Sequence, residues 1–293
     1  MKIKKLAVIV LAVILVLTFT GCGQATFMSN SDVKSLVNEY GTPQMQMTIE
    51  YERNSQVVKL VLTYDLLLEQ APITVVNFIS LAQKGYYDAQ TAEDGTVTSQ
   101  IFDARISAST NAWIAGRYTV AQKGTTKTYA VASPLDYTIK GEFVQNNWTL
   151  PVAEGETDEE VTDGNAKIEF FSLAMYHENK VEEFDSASAA FFLTTSSKQI
   201  ENYKNYAVFA HLVSAKVFVD NVEVLTSDGK IPSSVLDDFN SMTGTTSKTV
   251  TIDDEGTTET RSGILSNVIR IVEVKMLGDK DYSSLPTKYV INK

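Results

Sequence analysis

The chain holds a single cysteine, Cys22, in 293 residues. That scarcity excludes an internal disulfide and a thiolate metal site. Histidine is nearly as rare: His177 and His211 are the only two, and no H-E-x-x-H pair occurs. No glycine-rich phosphate loop, dinucleotide fingerprint or G-x-S-x-G elbow is present, so the common signatures of phosphoryl, hydride and acyl transfer are missing. Positive charge is short too, with 25 Lys and Arg against 36 Asp and Glu. A chain of that balance repels phosphate backbones, so nucleic acid is not an expected partner. Only one long apolar run exists, at residues 6–17, and it is short for a membrane-spanning helix. No repeat of 20–50 residues is visible.

What is present begins with a leader. Lys2, Lys4 and Lys5 precede the apolar run, and TFTGC follows it at residues 18–22. This reads as a signal segment over residues 1–21 that ends in a bacterial lipobox. Gly21 is the small residue before cleavage, and Phe19 stands where leucine is more usual. A diacylglyceryl group on Cys22 is favoured over a plain secretory signal or an uncleaved anchor helix. The leader carries three of the basic residues and none of the acids, which leaves the mature chain at −14. Anionic lipid would repel that charge, so the lipid must anchor the chain to the membrane. The expected location is extracytoplasmic, on the bacterial cell surface.

Residues 22–43 read as a tether with one short helical stretch, and residues 44–293 as one domain. Met45, Met47, Ile49 and Tyr51 alternate along one run, and Val58, Leu60, Leu62 and Tyr64 along the next, with residues 53–56 turning between them. That is a β-hairpin pattern. Residues 71–88, APITVVNFISLAQKGYYD, read as an amphipathic helix with Val75, Phe78, Ile79 and Ala82 on one stripe. Pro72 suits its first turn and Gly85 its left-handed end. Short strands dominate from Ile101 onward. Residues 153–165 carry six acids and no base, which reads as a solvated insertion. Residues 226–263, rich in Ser, Thr, Gly and Asp, read as a second, with one alternating strand near residues 249–252. The expected fold is mostly β: a closed antiparallel barrel capped by helices, with loop insertions.

The helix residues A-P-x-T-V-x-N-F-x-x-L-A-x-x-G-Y-Y-D resemble the first helix of the cyclophilin-type peptidyl-prolyl isomerases. Further segments follow in family order: IFDARI at 101–106, with one residue added before the arginine; YTIKGEF at 137–143; FSLA at 171–174; SAAFFLT at 188–194; and YAVF at 206–209, followed by Ala210 in place of glycine. The resemblance covers roughly residues 45–225 and the last strand, and it implies a cyclophilin-like barrel. It also implies rotation about X–Pro bonds of proline-containing polypeptides, a barrier of about 18–20 kcal/mol crossed unaided in tens to hundreds of seconds. No bond breaks, so no metal, cofactor or nucleophile is needed. A catalyst needs an apolar grip on the proline ring and a hydrogen bond that strengthens as the amide twists.

By resemblance the donor is Arg105 and the pocket floor Phe192, with Ala115, Ala174 and Tyr206 around the peptide; Trp113 either walls the pocket or packs in the core. A monomer is expected. Of the adjacent Phe191 and Phe192, one should face the core and one the pocket. Several family partners are replaced. Ala115 and Ala190 stand for glutamines, Met175 for an asparagine, and the rim tryptophan falls near Ile200 or Glu201. The alternative reading is therefore a cyclophilin-like peptide-binding module with weak turnover or none.

Overall fold

The structure is a computed structural model that describes residues 26–105, 112–148, 168–177, 183–195, 206–224, 230–286 and 290–292. Cys22, residues 153–165, Ile200 and Glu201 lie outside them. The first helix, α1 (Asn30–Tyr40), is capped by Ser29, whose Oγ accepts the Asp32 N–H at 3.2 Å. Its Val33, Leu36 and Tyr40 are buried, and Tyr40 stacks on Tyr282 at 5.3 Å. From Met28 onward, the residues read as a tether therefore pack on the body. Spacing of three and four places their apolar side chains on one face.

The hairpin forms as expected from β1 (Gln44–Arg53) and β2 (Gln56–Leu66). Asn54 and Ser55 turn it with φ of 50° and 63°, the paired positive values of a two-residue turn that matches strand twist. Next comes α2 (Pro72–Gln83), which is buried nearly all round rather than amphipathic. Phe78 inserts among Tyr87, Phe191 and Phe209 in the interior. Ala71 offers no capping side chain. Glu142 supplies the cap instead, its two oxygens accepting the Ile73 and Thr74 N–H at 2.9 and 2.8 Å. At the other end Gly85 takes φ of 67°, and the Tyr86 N–H returns to the Leu81 carbonyl at 3.0 Å, closing the helix as a left-handed cap does.

Strands follow: β3 (Gln90–Thr91), β4 (Val97–Arg105), β5 (Ala112–Lys123), β6 (Thr126–Val131), β7 (Tyr137–Ile139), β8 (Leu173–Met175), β9 (Phe191–Thr194), β10 (Val208–Val219) and β11 (Val222–Val224). The chain then forms α3 (Ser233–Ser241), β12 (Thr245–Thr251), β13 (Thr258–Leu265), β14 (Ile269–Met276) and β15 (Val290–Asn292). Within the second expected insertion, residues 230–263 hold a helix and two strands rather than loop alone. Phe239 of α3 packs edge-on against Tyr51, Trp113 and Phe171, while β12 and β13 form a hairpin.

The barrel runs β5–β9–β8–β10–β2–β1–β14–β4, and β4 pairs back to β5. Eight antiparallel strands therefore close on themselves without a free edge. Beyond this wall β6 extends β5, β12 pairs parallel to β6, and β13 pairs with β12. This extension closes over its own small cluster of Ile101, Val120, Tyr129, Val250 and Ile264.

Candidate functional site

Register across four barrel strands builds a single apolar row. Ile114 of β5 lies opposite Phe192 of β9, Phe192 opposite Ala174 of β8, and Ala174 opposite Val208 of β10. Directly paired residues share a face, and their chain neighbours take the other. The row therefore faces outward, joined by Ala112, Tyr206 and Ile168. Leu173, Phe191, Leu193 and Phe209 point into the barrel core. The two phenylalanines split between faces as the pleat demands. Tyr206 meets the Phe192 ring edge-on at 5.0 Å, and Phe192 is completely covered.

Residues of the α2 motif hold this row in place. Asn77 Nδ2 donates to the Ser188 carbonyl at 2.5 Å and the Tyr87 hydroxyl to the Ala189 carbonyl at 2.9 Å. Both bonds pin the chain just before β9. Tyr137, from the YTIKGEF segment, in turn donates to Asn77 Oδ1 at 2.8 Å. The helix thus sets where Phe192 emerges.

Of the residues singled out in the sequence, Phe192, Ala174 and Tyr206 come together on the row. Trp113 does not wall it. Its side chain is fully buried in the interior cluster, with Nε1 3.4 Å from Thr195 Oγ1, because its neighbour Ile114 takes the outward place. Ala115 is interior as well, opposite Phe102. The position beside the row is Gly116, whose φ is 87°. A Cβ there would meet the Ala189 carbonyl oxygen and Ala190 Cα at 3.0 Å, so packing leaves no room for a side chain at that position.

Arg105 is not on the row either. The pairing of β4 with β5 slips between Phe102 and Ala104, so Asp103, the residue added before Ala104 and Arg105, is taken up as a bulge. Ala104 consequently packs against the Phe192 row. Arg105 lies opposite Trp113, its guanidinium carbon 5.4 Å from that ring. A one-residue slip exchanges faces.

The bulge has a second effect. Asp103, 1% exposed, receives Arg117 Nε–H on Oδ1 at 3.3 Å and Arg117 Nη2–H on Oδ2. Burial lowers the Arg117 pKa, but the hydrogen bond and charge of Asp103, with Tyr176 and Tyr118, together raise it above the usual value, so the guanidinium holds its charge. The Arg117 Cζ sits 5.1 Å over the Tyr176 ring, with Nη1 3.5 Å from the Tyr176 hydroxyl. Arg117, Gly116, Tyr176, His177 and Ala190 line a cavity of about 290 Å³ beside the row. The sequence marks Arg117 only as an arginine after a glycine. Its partner becomes visible once the β4–β5 register is known.

A family model described as cyclophilin type peptidyl-prolyl cis-trans isomerase/CLD matches residues 54–254, more than half of the chain. The chain belongs to this family. Two solved structures of a cyclophilin-type peptidyl-prolyl isomerase from Cryptosporidium parvum are similar to it. One has 14% identity, covers 82% of this chain and 99% of its own, and gives a TM-score of 0.40. The other, determined in the presence of the dipeptide Ala-Pro, has 15% identity, 80% and 99% coverage, and a TM-score of 0.38. No curated protein matches. Within this cyclophilin, of the positions read as replacing polar partners, Ala190 lines the cavity, while Ala115 and Met175 lie in the core.

Proposed function

We propose that this cyclophilin speeds cis/trans exchange of X–Pro bonds in exported polypeptides while a lipid on Cys22 holds it at the outer membrane face. The observation that carries the reading is the outward row of Ile114, Ala174 and Phe192, edged by Tyr206 and bordered by an arginine. The row supplies an apolar grip for a proline ring, and a guanidinium supplies a donor to the nitrogen lone pair that appears as the amide twists. Phe192 is covered, so a ring reaching it must displace a neighbour packed on the row. The extracytoplasmic setting is supported by the leader and lipobox. Magnetisation-exchange NMR on a proline tetrapeptide tests the reading with the mature protein. Exchange faster than the uncatalysed rate is expected, and an unchanged rate overturns it.

A second reading, peptide binding without turnover, is favoured by Gly116 and Ala190, which line the cavity and offer a bound peptide no polar side chain. A buried peptide group left unpaired costs about 1–3 kcal/mol, which weakens a site that has lost several partners. Line broadening of the same peptide without faster exchange distinguishes this case.

A further inference from the structure

We infer that Arg117, rather than Arg105, is the cation that faces a bound peptide; the inference rests on the isomerase reading above. Three features of the structure carry it. The first is position. Arg117 and Ala104 flank one hollow on the outer wall, and the guanidinium then crosses to the Tyr176 ring. Ala104 and Tyr176 both pack against the Phe192 row, so Arg117 lies along the border of that row. Arg105 sits over Trp113, whose ring belongs to the barrel interior.

The second is preorganisation. Asp103 takes the Nε–H and one Nη2–H of Arg117, a side-on pair that fixes the plane of the guanidinium. Of its five donors, the two on Nη1 and the second on Nη2 are not taken by Asp103, and Nη1 lies at the Tyr176 hydroxyl. A donor held in place before the substrate arrives costs no reorganisation during rotation.

The third is room. Gly116 has no side chain and Ala190 only a methyl group, and both share the open cavity with Arg117. Among the described residues that line it, Arg117 is the one arginine and no lysine is present. The added residue Asp103 thus has a dual effect: its bulge turns Arg105 away, and its carboxylate secures Arg117.

Two measurements test this in the full mature chain. In the first, side-chain Nε resonances are followed while a proline tetrapeptide is titrated. The Arg117 signal should shift with saturation and the Arg105 signal should not; movement of Arg105 alone overturns the inference. In the second, exchange rates are compared among variants. Arg117→Ala would strand the buried Asp103 carboxylate and threaten folding. Arg117→Lys, which keeps a charge for Asp103, and the paired change Asp103→Asn with Arg117→Gln are used instead, each checked by circular dichroism. Lysine lacks the planar fork, so kcat should fall roughly tenfold to a hundredfold with KM within about twofold, and the paired variant should fall at least as far. Arg105→Ala forms the opposing arm. Loss of exchange there, with both Arg117 variants at the wild-type rate, overturns the inference and spares the isomerase reading. Failure of the wild type to accelerate exchange removes the isomerase reading itself, and the inference with it.

Discussion

Glu142 brings a carboxylate to a helix start where Ala71 provides none. Burial raises its pKa from 4.5 to about 8, although the Thr74 and Ile73 N–H groups pull the other way. In the unfolded chain the group titrates near 4.5. Between these values the folded protein binds more protons than the unfolded one. The contribution is therefore complete below about pH 4.5 and fades as pH rises through about 8. Urea unfolding at a series of pH values should show stability falling across this window by on the order of a few kcal/mol, and Glu142→Gln should flatten the slope. At the same scale, the sequence showed which residues resemble site residues but not which way they point. Trp113 and Ile114 are adjacent, as are Ala115 and Gly116, and only the first of each pair is interior. Two slips in the β4–β5 register decide the matter, and a bulge leaves no trace in hydropathy.

Among the elements, the β1–β2 hairpin was legible because alternation ran unbroken on both sides of a polar turn. The ends of α2 were legible from Pro72 and Gly85, but its burial was not. A stripe was read where the helix is enclosed, since Pro72, Ile73, Thr74 and Asn77 are covered too. The α3 helix was missed for the opposite reason. Val235, Phe239 and Met242 recur at four and three residues and all are buried, yet Ser233, Ser234, Asp237 and Asp238 made the region look like a loop. Asp238 in fact receives the Tyr51 hydroxyl at 2.6 Å and Arg53 at 3.0 Å, tying the helix to β1. Phe239 sits fully buried among three aromatic rings, so Phe239→Ala should cost about 3–5 kcal/mol in thermal or denaturant unfolding. In the β12–β13 hairpin the end of β12 matches the alternating strand expected near residues 249–252, whereas β13 is exposed on both faces for most of its length, which removes the alternation a strand usually shows.

At the scale of the whole molecule, charge and anchor act in opposition. On the proposed lipid-anchored reading, removal of the leader would leave a charge of −14, which disfavours anionic lipid, so attachment should depend on acyl chains alone. Cys22→Ser should move the protein from the membrane fraction to the soluble one, and palmitate labelling should disappear with it. The manner of barrel closure has a consequence in time. Met45 of β1 pairs with Met276 of β14, so the first strand waits for a partner near the far end of the chain. A polypeptide delivered N-terminus first keeps that edge of β1 unpaired until almost all the rest has arrived. Closing so long a loop is slow, and an exposed strand edge invites pairing with other chains in the interval. The proposed accelerator of slow steps in the folding of others thus closes its own barrel through its most distant strand pairing.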